Sequence, residues 1–419
     1  MRMIKIAFSK IDITPNIPCH LSGFLKERIA AKVHDPLFAR SILFFDDISN
    51  NYYLLTQLDL IATDHLLKDR LSKLFNNLIK PEHIILCATH THAGPMGVVE
   101  DYGMADVFGP IDDDYLDITA NRIYENVMSI KDELLPCTIS YAHSKVNNVG
   151  TERHNPELPG DDSLFYIEFI RQDNRKVFIY NYACHPTVTG PDNTEITKDL
   201  PYLTEEHYRN ELCIFINSNA GNISTRFTRK SSDFKQIEIY TKELIKAIDY
   251  ARLNKSEPEI LNTVNFSTIN KTYKLKQFKT LTEAQEALIN ADSKVKEALN
   301  NNIDGSKLRL IESLKEGAAV ELQLVKYFGN QNTISTDLTF IQLNNLKIAG
   351  IPGELFSTLG TILKQNNIEV FGYTNGYLLY LADKESYDNK VYEATSSPLT
   401  KGTAEEMIQD ILDHFKDMK

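Results

Sequence analysis

What most constrains this chain is a succession of short apolar runs, none near the ~18 residues a membrane-spanning helix needs. Residues 5–13, 39–45, 52–62, 83–89, 137–143, 163–170, 176–184 and 212–217 are rich in β-branched and aromatic side chains, as strands are. Between them, 65–79 and 115–130 repeat apolar residues at three- and four-residue spacing, which predicts amphipathic helices. Strands alternating with helices predict an α/β fold: one large mixed sheet, buried in part on both faces, with flanking helices.

The pattern changes at Thr280, which with Glu283 forms a capping-box signature ahead of an Ala/Leu/Glu/Lys-rich stretch to Asn302. Asp304-Gly305 breaks it, and a second helical stretch runs from Ser306 to Tyr327. About 280–328 therefore reads as an αα-hairpin inserted between strands, either covering a site mouth or offering a surface for homo-oligomers. Strands resume at 336–343, a turn follows at Asn344-Asn345, and 346–353 and 369–381 complete the set. A helix from Thr403 to Lys419, apolar at Met407, Ile408, Ile411, Leu412 and Phe415, closes the chain. No linker divides it, so 1–419 is expected to be a single domain.

A net charge of −12 argues against a general nucleic-acid binder, which needs a basic surface. The first residues lack the apolar segment and cleavage site of a secretory signal. Five cysteines, an odd number sitting mostly in strand-like runs and never as C-x-x-C, fit reduced buried thiols in a cytoplasmic protein.

The polar residues with chemical capacity fall where apolar runs end. The run 83–89 leads into His90-Thr91-His92, 176–184 into His185-Pro186-Thr187, 212–217 into Asn222-Ile223-Ser224, and 346–352 into Gly353-Glu354. The last run carries Asn375, Tyr377 and Tyr380. In open α/β sheets, sites form beyond the strand ends. In an extended backbone His90 and His92 project to one face, with Cα atoms roughly 6.5–7 Å apart. One metal can take both, or one of them while the other meets substrate; zinc accepts imidazole and carboxylate and keeps a position open. Taken singly, each residue has a plainer reading. The histidines are hydrogen-bonded loop residues, Glu354 a helix-terminal carboxylate, Ser224 an N-cap, and Tyr380 and Tyr392 packing aromatics.

In order, however, these segments resemble the catalytic domain of the neutral (non-lysosomal) ceramidase family. Asp12-Ile13-Thr14-Pro15, His34-Asp35-Pro36-Leu37-Phe38-Ala39-Arg40 and Thr89-His90-Thr91-His92-Ala93-Gly94-Pro95 are similar to its DITP, HDPLYAR and THTHSGP elements. His185-Pro186-Thr187, Asn219-Ala220-Gly221-Asn222-Ile223-Ser224 and Pro352-Gly353-Glu354 resemble three more, with Thr225-Arg226 standing where the family has Pro-Asn. Asn375-x-Tyr377-x-x-Tyr380, followed by Tyr387 and Tyr392-Glu393-Ala394, keeps the family's closing spacing. The resemblance implies zinc held by His90, His185, Glu354 and Tyr380, with His92, Arg153, Ser224 and Tyr392 contacting substrate or acting in catalysis. It implies a zinc-dependent amidase for a ceramide-like or other N-acyl substrate, with metal-activated water or Ser224 attacking. A metal-dependent ester or phosphate-ester hydrolase and a non-catalytic binding homologue are the rival readings. Longer family members carry a C-terminal immunoglobulin-like domain that this sequence is expected to lack.

Overall fold

Side-chain alternation sends Ile4, Ile6 and Phe8 of β1 (Ile4–Asp12) to one face and Ala7 to the other, and apolar layers receive both sets. The computed structural model describes residues 2–158, 160–303 and 305–417. Asp304 and the last two residues of the expected terminal helix lie outside the described residues.

Strand β1 is central to a nine-stranded mixed sheet. The other main strands are β2 (Phe38–Asp46), β3 (Asn51–Leu58), β4 (Ile84–Ala88), β5 (Leu135–Lys145), β6 (Ser163–Arg171), β7 (Lys176–Tyr182) and β8 (Leu212–Asn217). They run in the order β8-β7-β6-β5-β1-β2-β3-β4, and the short strand Glu259–Ile260 adds to β5. Along that path only β7–β8 and β3–β4 pair in parallel.

A second sheet of β9 (Val264–Lys274), β10 (Thr333–Leu343), β11 (Leu346–Gly350) and β12 (Ile368–Phe371) packs on one face through Phe266, Ile341, Ile348 and Phe371. Helices α1 (His65–Phe75) and α2 (Asp113–Ile130) cover the opposite face at β1–β4. Helix α3 (Phe234–Leu253) covers it at β6–β8. Both faces are thus buried, as the unbroken apolar runs require. All five cysteines are free, and four of them are buried.

The expected hairpin forms as α4 (Leu281–Asn300) and α5 (Gly305–Phe328). Its capping box is complete: the Glu283 amide donates to Thr280 Oγ1 at 3.2 Å, and the Thr280 amide donates to Glu283 Oε2 at 2.8 Å. The turn at Asn344 links β10 to β11 with φ +51. The helix expected over 65–79 stops at Phe75 because Asn76 and Asn77 both adopt positive φ. The final helix, α6, spans Thr403–Asp417. Helix α3 lies outside the sequence expectations, although its cap Asp233 and its buried Ile237, Tyr240, Leu244 and Ile248 give a helical period.

On β2, inside the sheet, Arg40 donates through Nη1 to Asp59 Oδ2 at 2.9 Å and to Gln57 Oε1 at 2.8 Å, and it also pairs with Glu205. Lys198 reaches the same Glu205 at 2.7 Å. Burial alone would raise the Glu205 carboxyl, but these two cations outweigh it and hold it well below the usual carboxylate range. Removing one partner strands a buried charge, so Arg40→Met is expected to lower unfolding stability by about 3–5 kcal/mol in urea titration. An unchanged midpoint would contradict this role.

Candidate metal-binding site

The edge strands β4 and β8 are joined at their carboxyl ends by the segment leaving β12. Gly372 N donates to Asn217 O at 2.9 Å, and Ala88 N donates to Tyr373 O at 3.1 Å. The Asn375 side chain accepts from Leu86 N at 2.9 Å and donates to Ile84 O at 3.1 Å. Residues from opposite sheet edges and from the second sheet are thereby drawn to one point.

His90 follows β4 at φ +68, so the extended geometry expected for His90 and His92 does not occur. This left-handed conformation costs a non-glycine residue about 1–2 kcal/mol. It is held by His90 N to Leu60 O at 3.0 Å and Nδ1–H to Ile61 O at 2.7 Å. His185, just past β7, donates Nδ1–H to Ile223 O at 3.0 Å. A carbonyl only accepts, so both rings carry their proton on Nδ1 and turn an Nε2 lone pair inward.

Glu354 begins a short strand (Glu354–Leu355) that pairs in parallel with Tyr380–Leu381, in register Glu354 to Tyr380. Its Oε2 lies 2.9 Å from His185 Nε2 and 3.4 Å from His90 Nε2, and its Oε1 accepts from Tyr377 Oη at 2.7 Å. His92 Nε2 lies 3.2 Å from His90 Nε2, and ligand nitrogens of His90, His92 and His185 all fall within 4.8 Å of one another. Gly23, at φ +94, passes so close that a Cβ there would sit 2.4 Å from His92 Nδ1. At Gly221 a Cβ would lie 2.4 Å from the Glu354 carbonyl oxygen, so only glycine lets the Ser224 loop approach this strand.

Burial pushes the His185 imidazole down to about 4, with Arg153 adding to the effect. Burial and the neighbouring histidines place His92 well below its ordinary value. The Tyr380 phenol is raised by burial, which the adjacent Arg153 only partly offsets.

All eight residues singled out from the sequence line one cavity of about 610 Å³. His90, His92, His185 and Glu354 form the buried cluster, and Tyr380 stands beside it with its ring 5.2 Å from the Arg153 guanidinium carbon. Tyr392 packs on Tyr380 at 5.6 Å between ring centroids. Ser224 contributes its side chain to the wall, and α5 forms another wall through Arg309, Ser313, Glu316 and Val320. The inserted hairpin thus forms part of the cavity wall.

Tyr377, Tyr373 and Glu393, to which the sequence reading gave no role, have a clear part in this arrangement. Tyr377 orients Glu354, and Tyr373 stacks on His90 at 4.2 Å. Glu393 pairs with Arg153 and takes His154 Nε2 at 2.7 Å, while Glu152 takes His154 Nδ1 at 2.7 Å. Tyr377 and Glu393 both stand in the closing spacing of the resembled family, whereas Tyr373 carries no such signal.

No protein-family model matches the chain. The neutral ceramidases of Drosophila pseudoobscura pseudoobscura and Drosophila melanogaster are each 23% identical over 254 residues, covering 52% of this chain and 36% of theirs. The crystal structure of neutral ceramidase from Pseudomonas aeruginosa superposes with a TM-score of 0.76 at 17% identity, covering 99% of this chain and 74% of that one. A ceramidase complexed with C2 gives 0.74 at 15% identity, covering 99% and 75%. The architecture is therefore the ceramidase α/β fold. The chain is similar in sequence to neutral ceramidases, and its match spans little more than a third of the curated relatives' length.

Burial alone would lower the His154 imidazolium, but Glu152 and Glu393 outweigh it and raise the group to about 9 from 6.5. A raised folded value contributes stability that is complete below about pH 6.5 and lost as pH rises through about 9. Unfolding stability is expected to fall across that window, and His154→Gln should flatten the decline. Denaturation at pH 6 and pH 10 measures both, and equal slopes in the two proteins would refute the assignment.

Proposed function

We propose that the chain is a metal-dependent amide hydrolase acting on an N-acyl substrate, with zinc as the metal and residues 1–419 working as one catalytic domain. The observation that carries this is the meeting of His185 Nε2 with Glu354 Oε2 at 2.9 Å. Both atoms are acceptors, since the neutral ring commits its one proton to a backbone carbonyl and a carboxylate offers only lone pairs. Two lone pairs at that distance repel in a low-dielectric interior unless a cation lies between them. Zinc suits two imidazoles with a carboxylate, and bond lengths of about 2.0–2.2 Å imply donor separations of about 3.3 Å. The separations of 2.9 and 3.4 Å from Glu354 Oε2 to His185 Nε2 and His90 Nε2 match that size.

In this reading His90, His185, Glu354 and Tyr380 hold the metal, which supplies a Lewis acid for an amide carbonyl and lowers the pKa of water. The remaining steps belong to the chain. Arg153, fixed by Glu393, directs its guanidinium toward the developing oxyanion, the charge whose stabilisation contributes most in such reactions. Tyr392 adds a phenolic donor beside it. His92, half-buried and with its enclosed Nδ1 lacking a partner, exchanges a proton with the attacking or leaving group. Ser224 Oγ accepts from Arg226 N at 3.3 Å, so its own hydroxyl proton remains free to orient substrate or to be given up in attack. The cavity, walled partly by Phe24, Val107, Phe108 and Val320, suits an acyl chain.

Protein purified without chelator is expected to contain about one zinc per chain and to cleave members of an N-acyl amide panel. His90→Ala and Glu354→Ala should each lose metal and lower kcat/KM by about 100-fold or more. Elemental analysis finding no transition metal, or turnover that survives both substitutions, would overturn the reading.

A further inference from the structure

The cations of the cavity wall are not equivalent. Arg153 is paired with Glu393, Arg309 with Glu316 at 2.7 Å, Lys315 with Asp292 at 2.5 Å, and Lys26 with Asp192. Arg226 and Arg229 line the same cavity, and among the described residues neither belongs to an ion pair. Each is half-buried, and each has one side-chain hydrogen bond, to a backbone carbonyl: Arg226 Nη1 to Arg153 O at 2.9 Å and Arg229 Nη1 to Thr187 O at 2.9 Å. A guanidinium offers five N–H donors in a planar fork matched to a carboxylate. Most of that capacity is unused here.

Partly buried guanidinium groups without a counter-charge are unfavourable, and they are out of keeping with a chain of net charge −12. Arg226 also feels Arg153 and Arg309, and burial with these neighbours brings it down to about 10. Its position is where the chain carries Thr225-Arg226 directly after Ser224, in place of the uncharged Pro-Asn of the resembled motif.

The wall is divided. Phe24 lies 4.9 Å from His92 and Phe108 lies 5.6 Å from Tyr377, so apolar surface approaches the cluster from the side of those two residues. Arg226 approaches from the side of Ser224 and Arg153. An amide placed at the cluster then directs its acyl chain one way and its amine half the other.

We propose that the substrate is an N-acyl compound whose amine half bears a carboxylate, as in an N-acyl amino acid, and that Arg226 and Arg229 bind this carboxylate. The inference rests on the amide-hydrolase reading and specifies its substrate class. Charge-assisted hydrogen bonds to a fork-shaped donor discriminate strongly against a neutral isostere of the same size.

The test compares N-octanoylglycine, the neutral N-octanoylglycinamide, N-octanoyl-O-phosphoethanolamine and N-hexanoylsphingosine on zinc-loaded enzyme, by turnover and by calorimetric binding. N-octanoylglycine is expected to exceed its glycinamide by at least about tenfold in kcat/KM and in affinity. The double variant Arg226→Met with Arg229→Met should bring that ratio to about one, and Arg226→Lys should keep part of it. A preference that survives the double variant, as carboxylate binding to the metal alone would give, overturns the proposal. So does equal or better use of the glycinamide or the sphingosine amide, which would leave the hydrolase reading standing. Preference for the phosphate compound overturns the carboxylate assignment. Arginine-dependent binding of N-octanoylglycine with no turnover of any amide would support the anion site and refute the hydrolase reading.

Discussion

A carboxylate oxygen and two inward-facing imidazole lone pairs share one buried point in this protein, and the surrounding structure is organised to hold them there. Each imidazole is fixed by an Nδ1–H bond to a main-chain carbonyl, Ile61 for His90 and Ile223 for His185. Glu354 is fixed by the Tyr377 hydroxyl and by a two-residue parallel pairing opposite Tyr380. None of these groups relieves the others, because all three present acceptors. Arg153 Nη1 lies 3.3 Å from His185 Nε2, and a cation among the three acceptors would relieve all of them at once.

Holding acceptors together demands a frame that resists their separation. The frame is the junction of the two sheet edges, where residues 372–375 bond to β4 and β8 at once. The left-handed backbone at His90, Tyr373 and Asn375 is concentrated at that junction, consistent with local strain accepted where geometry has to be maintained. Around it, a second ring of charge sets the reach of Arg153: Glu393 holds the guanidinium and is itself held by an imidazolium bridging to Glu152. The hairpin α4–α5 closes one side of the cavity, and the 224–229 loop brings an unneutralised positive surface to another. Apolar and cationic walls flank the same cluster, the arrangement a substrate with one greasy end and one charged end would meet.

Much of the architecture was legible because it rests on local signals. Apolar runs of strand length, the Thr280–Glu283 cap and the Asn344 turn specify their elements through neighbouring residues, and each appears where the pattern puts it. Helix α3 was legible in principle through its Asp233 cap and its buried spacing, yet it followed no strand-to-helix motif and was passed over. The site was legible only as a set: single histidines at strand ends are ordinary, but seven ordered segments with family-like spacing are not. The roles of Tyr377 and Tyr373 were not legible, because an aromatic in an apolar run looks the same whether it packs or orients a ligand.

By itself, the sequence determined which residues of chemical capacity exist, that they follow strand ends, and that a helical hairpin interrupts the second half. These follow from side-chain period, capping and turn chemistry, all of which act within a few residues. The tertiary structure alone decided that His90 turns back through a left-handed backbone, that Glu393 anchors Arg153, and that Arg226 and Arg229 stand in a cavity wall without carboxylate partners. Those facts depend on which distant segments share a buried volume, and a linear chain carries charge and shape but not the identity of its long-range neighbours.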